Sequence, residues 1–287
     1  MRPKKSFSLL LRGGRKMLSD ITIGQYYKAD SFVHRLDART KIILTTLFLV
    51  IIFMCKNFLS LALMFVLLVA SVLACKVPVK MFLKSVKPII PIVIFTAVIN
   101  VIYATGGTEL VSFWKISITT KGLATAFFMA VRIICLIISS SILTYTTVPT
   151  ALTDGIEKLF SPLKVLHVDV HTLAMMMTLA LRFIPTLIEE INRITNAQKA
   201  RGADFESGKL LERVKAMIPI LIPLFVSAFN RAYELAFAMS CRCYRGGEGR
   251  TRMKQPKMRV GDYMTLLLFA VIIAGVILLN HFFGKIV

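Results

Sequence analysis

Residues 41–75 read KIILTTLFLVIIFMCKNFLSLALMFVLLVASVLAC, two apolar runs joined only by Lys56 and Asn57. A bilayer core takes about 20 mostly apolar residues as helix, and the segments 41–56 and 58–75 qualify as two spans. Three further runs follow: PIIPIVIFTAVINVIYAT (88–105), GLATAFFMAVRIICLIISSSILTYTT (122–147) and MTLLLFAVIIAGVILLNHFF (264–283). Each in isolation also fits a buried core helix. Five in a chain of 287 residues leave little polar surface for a soluble body. The expected fold is an all-α integral membrane protein with about five transmembrane helices.

Composition agrees. The chain is 56% hydrophobic with mean hydropathy +0.72, yet its formal charge is +21. The two fit together if the apolar residues sit in lipid and the basic ones line one membrane face. A basic nucleic-acid binder is the other reading of such a charge, and the apolar runs exclude it. Residues 1–41 hold ten Lys/Arg against three Asp/Glu, the loop 76–87 holds four lysines and no acid, and residues 148–259 hold seventeen Lys/Arg and ten Asp/Glu. Alternating spans place all of these on one side, so the N-terminus is expected in the cytoplasm and the C-terminus outside the cell membrane. The expected organisation is a basic cytoplasmic segment (1–41), transmembrane helices 1–4 (42–147), a cytoplasmic insert (148–258) and a last span (259–287). The loop GGTELVSFWKISITTK has hairpin-like alternation around Trp114. The apolar core near the N-terminus, five residues long, is too short for a signal peptide.

The insert does not read as an ordinary soluble domain. A short amphipathic helix is expected first, then a long helical pattern from Asp169, a candidate N-cap, to Arg201. A second long pattern runs from Lys209 to about Tyr244. Both are apolar for part of their length and polar toward the end, and unbroken each would reach roughly 50 Å. Pro185, Pro219 and Pro223 are expected to kink or interrupt them. Such helices fit a position along the membrane boundary, apolar part in and tips out; the alternative is that one of them crosses the bilayer, against which Glu189, Glu190, Arg193, Arg213 and Lys215 argue for partial immersion.

The two patterns end alike, in NAQKARG (196–202) and AMSCRCYRGG (238–247). Ala197 and Ala238 stand four residues before Arg201 and Arg242; Ala200 and Cys241 stand one before, Gly202 and Cys243 one after. An arginine at a helix C-terminus is favoured by the partial negative charge there, which accounts for either tip alone. Two matched tips point further, because small neighbours admit a partner's backbone and a guanidinium forks onto a carboxylate.

Three segments carry a family resemblance: IGQYYKADSFVHRLDARTK (23–41), AQKARG (197–202) and AFAMSCRCYRGGEGRTR (236–252). Together they resemble the transmembrane T component of energy-coupling factor (ECF) transporters, prokaryotic importers of vitamins and trace metals. Ala38 stands where that family usually has proline, and Cys241 and Cys243 replace the Ala and Gly of its second Ala-Arg-Gly motif. The resemblance implies a scaffold with no catalytic residues of its own, bridging two cytoplasmic ABC-type ATPases to a membrane-embedded, substrate-binding S subunit. Ala200, Arg201, Gly202, Cys241, Arg242 and Cys243 would then be the ATPase-binding motifs of two coupling helices. Independently, the chain has no G-x-x-x-x-G-K-[ST] loop to hold ATP phosphates, so no cofactor is expected and ATP would belong to the partners. The alternative is a stand-alone secondary transporter or channel, for which acids within the spans and discontinuous half-helices are expected.

Other chemistry is sparse. Arg132 is the clearest ionisable residue deep within a span, and Asn100 on the preceding span is placed to come within its reach; an interhelical structural role is the favoured reading of both. Met175, Met176 and Met177 offer flexible thioethers suited to a surface that accepts several partners, such as S subunits; plain core or lipid contact is the favoured reading of them. The four histidines show no metal-ligand spacing, and the five cysteines show neither a disulfide framework nor a metal-ligand set.

Overall fold

The computed structural model describes residues 26–103, 109–113, 116–162, 169–203, 210–246 and 258–282. The elements are α1 (Phe32–Arg35), α2 (Ala38–Met54), α3 (Phe58–Cys75), α4 (Val79–Val86), α5 (Ile90–Tyr103), β1 (Glu109–Phe113), β2 (Ile116–Thr119), α6 (Thr120–Thr146), α7 (Pro149–Leu159), α8 (Val170–Ala200), α9 (Leu210–Cys241) and α10 (Val260–Phe282). The helical fold is as expected, and the hairpin appears as the antiparallel β1–β2 pair, although Trp114 itself lies outside the described residues. The N-terminal 25 residues and the 204–209 turn also lie outside them.

Among the described residues, six helical stretches of 18 residues or more are apolar enough to cross a membrane: Phe58–Cys75, Val79–Tyr103, Thr120–Thr146, Val170–Ala200, Val214–Cys241 and Val260–Phe282. This set differs from the five expected runs. The first run forms a helix of 17 residues, about 25 Å at 1.5 Å per residue, at the short end of the range for a span. The two long helices of the insert reach the length and composition of a span. They also run unbroken through Pro185, Pro219 and Pro223, so proline does not interrupt them.

The chain divides into two units, Gly24–Leu159 with Lys254–Val287, and Met1–Ile23 with Phe160–Met253. In the first, α2, α3, α6 and α10 share one core in which Ile52, Met64, Cys135, Phe128 and Val276 are buried. Outward faces stay apolar: on α5, Ile92, Ile94, Phe95 and Val98 are exposed, as helices facing lipid require. The lysine-rich loop forms α4, which buries Phe82 against Tyr145 and leaves Lys80 and Lys84 exposed.

Polar contacts close both ends of this bundle. Asp37 caps α2 through the Arg39 amide (3.2 Å), and its own amide donates to Asp262 Oδ1 (2.9 Å). Asp262 Oδ2 accepts from the Arg259 amide (2.7 Å), so this buried carboxylate ties the starts of α2 and α10 together. Lys41 Nζ donates to the Thr146 carbonyl (2.9 Å) at the end of α6 and to the His34 carbonyl (3.2 Å). Helix ends leave such carbonyls without intrahelical partners. At the opposite end Asn280 Nδ2 donates to the Met54 carbonyl (2.9 Å) and Asn57 Nδ2 to that of Leu279 (3.3 Å). Ala38, the departure from the family's proline, is the first residue of α2, where proline and alanine are both compatible with helix. A Cβ at Gly155 of α7 would meet the Ala38 Cβ at 3.2 Å, so Gly155 lets α7 approach there.

Candidate functional site: two arginine-tipped helix ends

In the second unit α8 and α9 run antiparallel. Asp169 caps the start of α8 by accepting from the Thr172 amide (3.2 Å). Along the pair, Gln198 Nε2 donates to the Pro219 carbonyl (3.5 Å) and Arg231 Nη2 to Glu190 Oε2 (3.3 Å). At the far end the Tyr244 hydroxyl donates to Met175 Sδ (2.9 Å). Glu190 also lies 3.8 Å from Arg193, whose side chain is largely exposed.

Both helix ends close by one hydrogen-bond scheme. Arg201 is the C-cap of α8; the Gly202 amide donates to the Lys199 carbonyl (3.0 Å) and the Ala203 amide to that of Gln198 (3.0 Å). After α9, the Cys243 amide donates to the Ser240 carbonyl (2.9 Å) and the Tyr244 amide to that of Met239 (3.1 Å). These are two Schellman caps, each with its arginine one residue before a left-handed residue. That residue is Gly202 at φ +89° in one and Cys243 at φ +54° in the other. The third position of each motif is small because of backbone conformation as well as access. Cysteine takes the turn that glycine takes more cheaply.

Ala200, Arg201, Gly202, Cys241, Arg242 and Cys243 are all exposed. Among the described residues neither guanidinium has an ion pair or hydrogen bond. The structure does not bring the two tips together. Arg201 ends α8 beside the start of α9, whereas Arg242 ends α9 beside the start of α8. The stretch of α8 between Met175 and Arg201 is about 40 Å long, and this separates them.

The other candidate residues take structural roles. Arg132 Nη2 donates to the Cys55 carbonyl (2.6 Å) beyond the end of α2, and its guanidinium lies 4.7 Å from the Phe128 ring centre. Asn100 Nδ2 donates to the Thr96 carbonyl one turn back in its own helix (2.8 Å). Among the described residues no hydrogen bond links Asn100 to Arg132. Of the methionines, Met175 is half-buried against Tyr244, while Met176 and Met177 are exposed. No group of three His, Cys, Asp or Glu able to hold a metal occurs among the described residues. Sequence reasoning missed Asp262, Lys41 and the Glu190–Arg231 link. Asp262 did carry a signal, as the acid standing just before the last apolar run.

A bundle of long apolar helices and an antiparallel pair of span-length helices define a multi-pass helical membrane protein. A family model described as cobalt transport protein, CbiQ, matches residues 29–253. Curated relatives named energy-coupling factor transporter transmembrane protein EcfT share much of the chain. The protein from Ruminiclostridium cellulolyticum is 50% identical, covering 93% of this chain and 100% of the relative. That from Clostridium kluyveri is 48% identical, over 94% and 100%, and that from Bacillus subtilis is 45% identical, over 83% and 90%. The chain belongs to this family of multi-pass energy-coupling factor transporter transmembrane proteins.

Proposed function

We propose that this chain is the non-catalytic coupling subunit of an ATP-driven vitamin or micronutrient importer. Arg201 and Arg242 dock into grooves on two cytoplasmic ABC-type ATPases, and the α8–α9 pair carries the ATPases' motion to a membrane-embedded S subunit that binds the substrate. The N-terminus and the tips face the cytoplasm of the cell that imports. ATP stays on the ATPases, and substrate choice stays with the S subunit. The observation that carries this reading is the pair of matching helix caps, each presenting an exposed guanidinium without an ion pair among the described residues and set at opposite ends of one antiparallel pair. Two separated, equivalent prongs suit two separate, equivalent sockets. A stand-alone carrier would call for an acid free to exchange a cation within a span. Asp262 is not free, since both its oxygens accept backbone amides. Met176 and Met177 remain candidates for S-subunit contact, with Met175 partly committed to Tyr244.

The test is co-purification with the ATPase pair after Arg201→Glu, Arg242→Glu and the double change. Each reversal should weaken ATPase association on the order of 100-fold, as truncating a buried interfacial charge pair does. The double variant should lose assembly and uptake. Intact assembly and transport in the double variant would refute the docking role.

A further inference from the structure

A cavity of about 290 Å³ opens in the first unit among α1, α2, α3, α6 and α10. Its walls are largely apolar, including Leu44, Phe48, Leu68, Ile142 and Phe269, and α1 roofs it with Phe32, Val33 and Leu36. One charged side chain lines it, that of Lys41. Lys41 is 6% exposed, and among the described residues no carboxylate oxygen lies within 4.0 Å of its ammonium. An ammonium carries three N–H donors. Two are committed to the Thr146 and His34 carbonyls, and one remains.

A buried cation with no carboxylate in contact is costly, and this one, which Asp262 and Asp37 influence only from beyond contact distance, sits at the head of an apolar slot. Lys41 lies in the first turn of α2, and the lining continues along that helix through Leu44 and Thr45 to Phe48. On α6 it runs in parallel from Thr146 through Ile142 to Ser139. Charge at one end and hydrocarbon along the helix axis is the layout of an amphiphile. We propose that the cavity seats an anionic phospholipid, its phosphate on the free Lys41 N–H and part of one acyl chain between α2, α3 and α6. Ala70 and Ala74 on α3 leave the mouth open to the lipid phase. The bound lipid stiffens the junction where α1, α2, α6 and α10 meet.

The experiment is native mass spectrometry of the full-length protein in detergent, titrated with phosphatidylglycerol and with phosphatidylcholine of the same acyl chains. Both headgroups offer a phosphate, but only phosphatidylglycerol keeps a net negative charge to offset Lys41, so wild type should retain it about five-fold better, the factor one basic residue supports against an anionic lipid. Lys41→Met should bring the two lipids level. Because Lys41→Met also strips two carbonyls of their donor, a second variant keeps the lysine: Ala70→Phe with Ala74→Phe closes the mouth and should lose the retained lipid of either kind. Equal retention of the two lipids by wild type overturns the proposal. So does a double phenylalanine variant that holds phosphatidylglycerol as wild type does. The second result would place the retained lipid outside the slot.

Discussion

Cys243 holds a left-handed backbone conformation that costs an L-residue about 1 kcal/mol or more relative to glycine. Cys243→Gly should slow amide exchange across Ser240–Tyr244, and Gly202→Ala should speed it across the other tip by a similar free energy. Exchange rates unaffected at both tips would mean that the caps do not depend on the left-handed residue. Arg132 is a residue-scale case of another kind. Its guanidinium satisfies the Cys55 carbonyl where α2 ends and lies against Phe128. Arg132→Met should cost about 1–3 kcal/mol by leaving that carbonyl unpartnered. This would be read as a lower unfolding midpoint in detergent with ATPase association retained. A loss of transport without loss of stability would instead give Arg132 a functional role.

At the scale of elements, α8 and α9 must hold one register if tips at opposite ends are to move together. Glu190 reaches across to Arg231, with its carboxylate mostly buried, and along its own helix to the exposed Arg193. A double-mutant cycle on Glu190 and Arg231 should give a coupling of about 1 kcal/mol, whereas the Glu190–Arg193 cycle should fall near zero because water screens it. Equal couplings would show that the interhelical contact has no special part in the register. Prolines at 185, 219 and 223 do not break these helices. Gln198 Nε2 of α8 reaches the Pro219 carbonyl (3.5 Å), the acceptor that the missing amide of Pro223 leaves free, a contact that no local propensity records.

For the whole molecule the decisive quantity is the distance between the tips. Spin labels at Lys199 and Ser240 should lie on the order of 35 Å apart, from the antiparallel overlap and the helical rise. Double electron–electron resonance giving a separation below about 20 Å would place the tips side by side and remove the basis for two separate sockets. The polar closures at both ends of the bundle act at this scale too. Asp262 joins residues more than two hundred positions apart in sequence, Asp37 and its own helix start.

Membrane character, helical class, the limits of α8 and α9 and the two arginine tips were all legible in the chain. They depend on local quantities: run length, apolar content, an N-capping Asp169 and the spacing of small residues around arginine. The count of span-length helices was less so, because the insert helices reach that length only by continuing through their prolines. Three-dimensional packing alone set the remainder. It fixed that the tips lie at opposite ends, that Arg132 donates to a carbonyl, and that Lys41 lies buried at the head of a cavity. Each of these is a pairing between distant segments. A single chain read in order lists the donors and acceptors, but the partner of each follows from which helix faces come together.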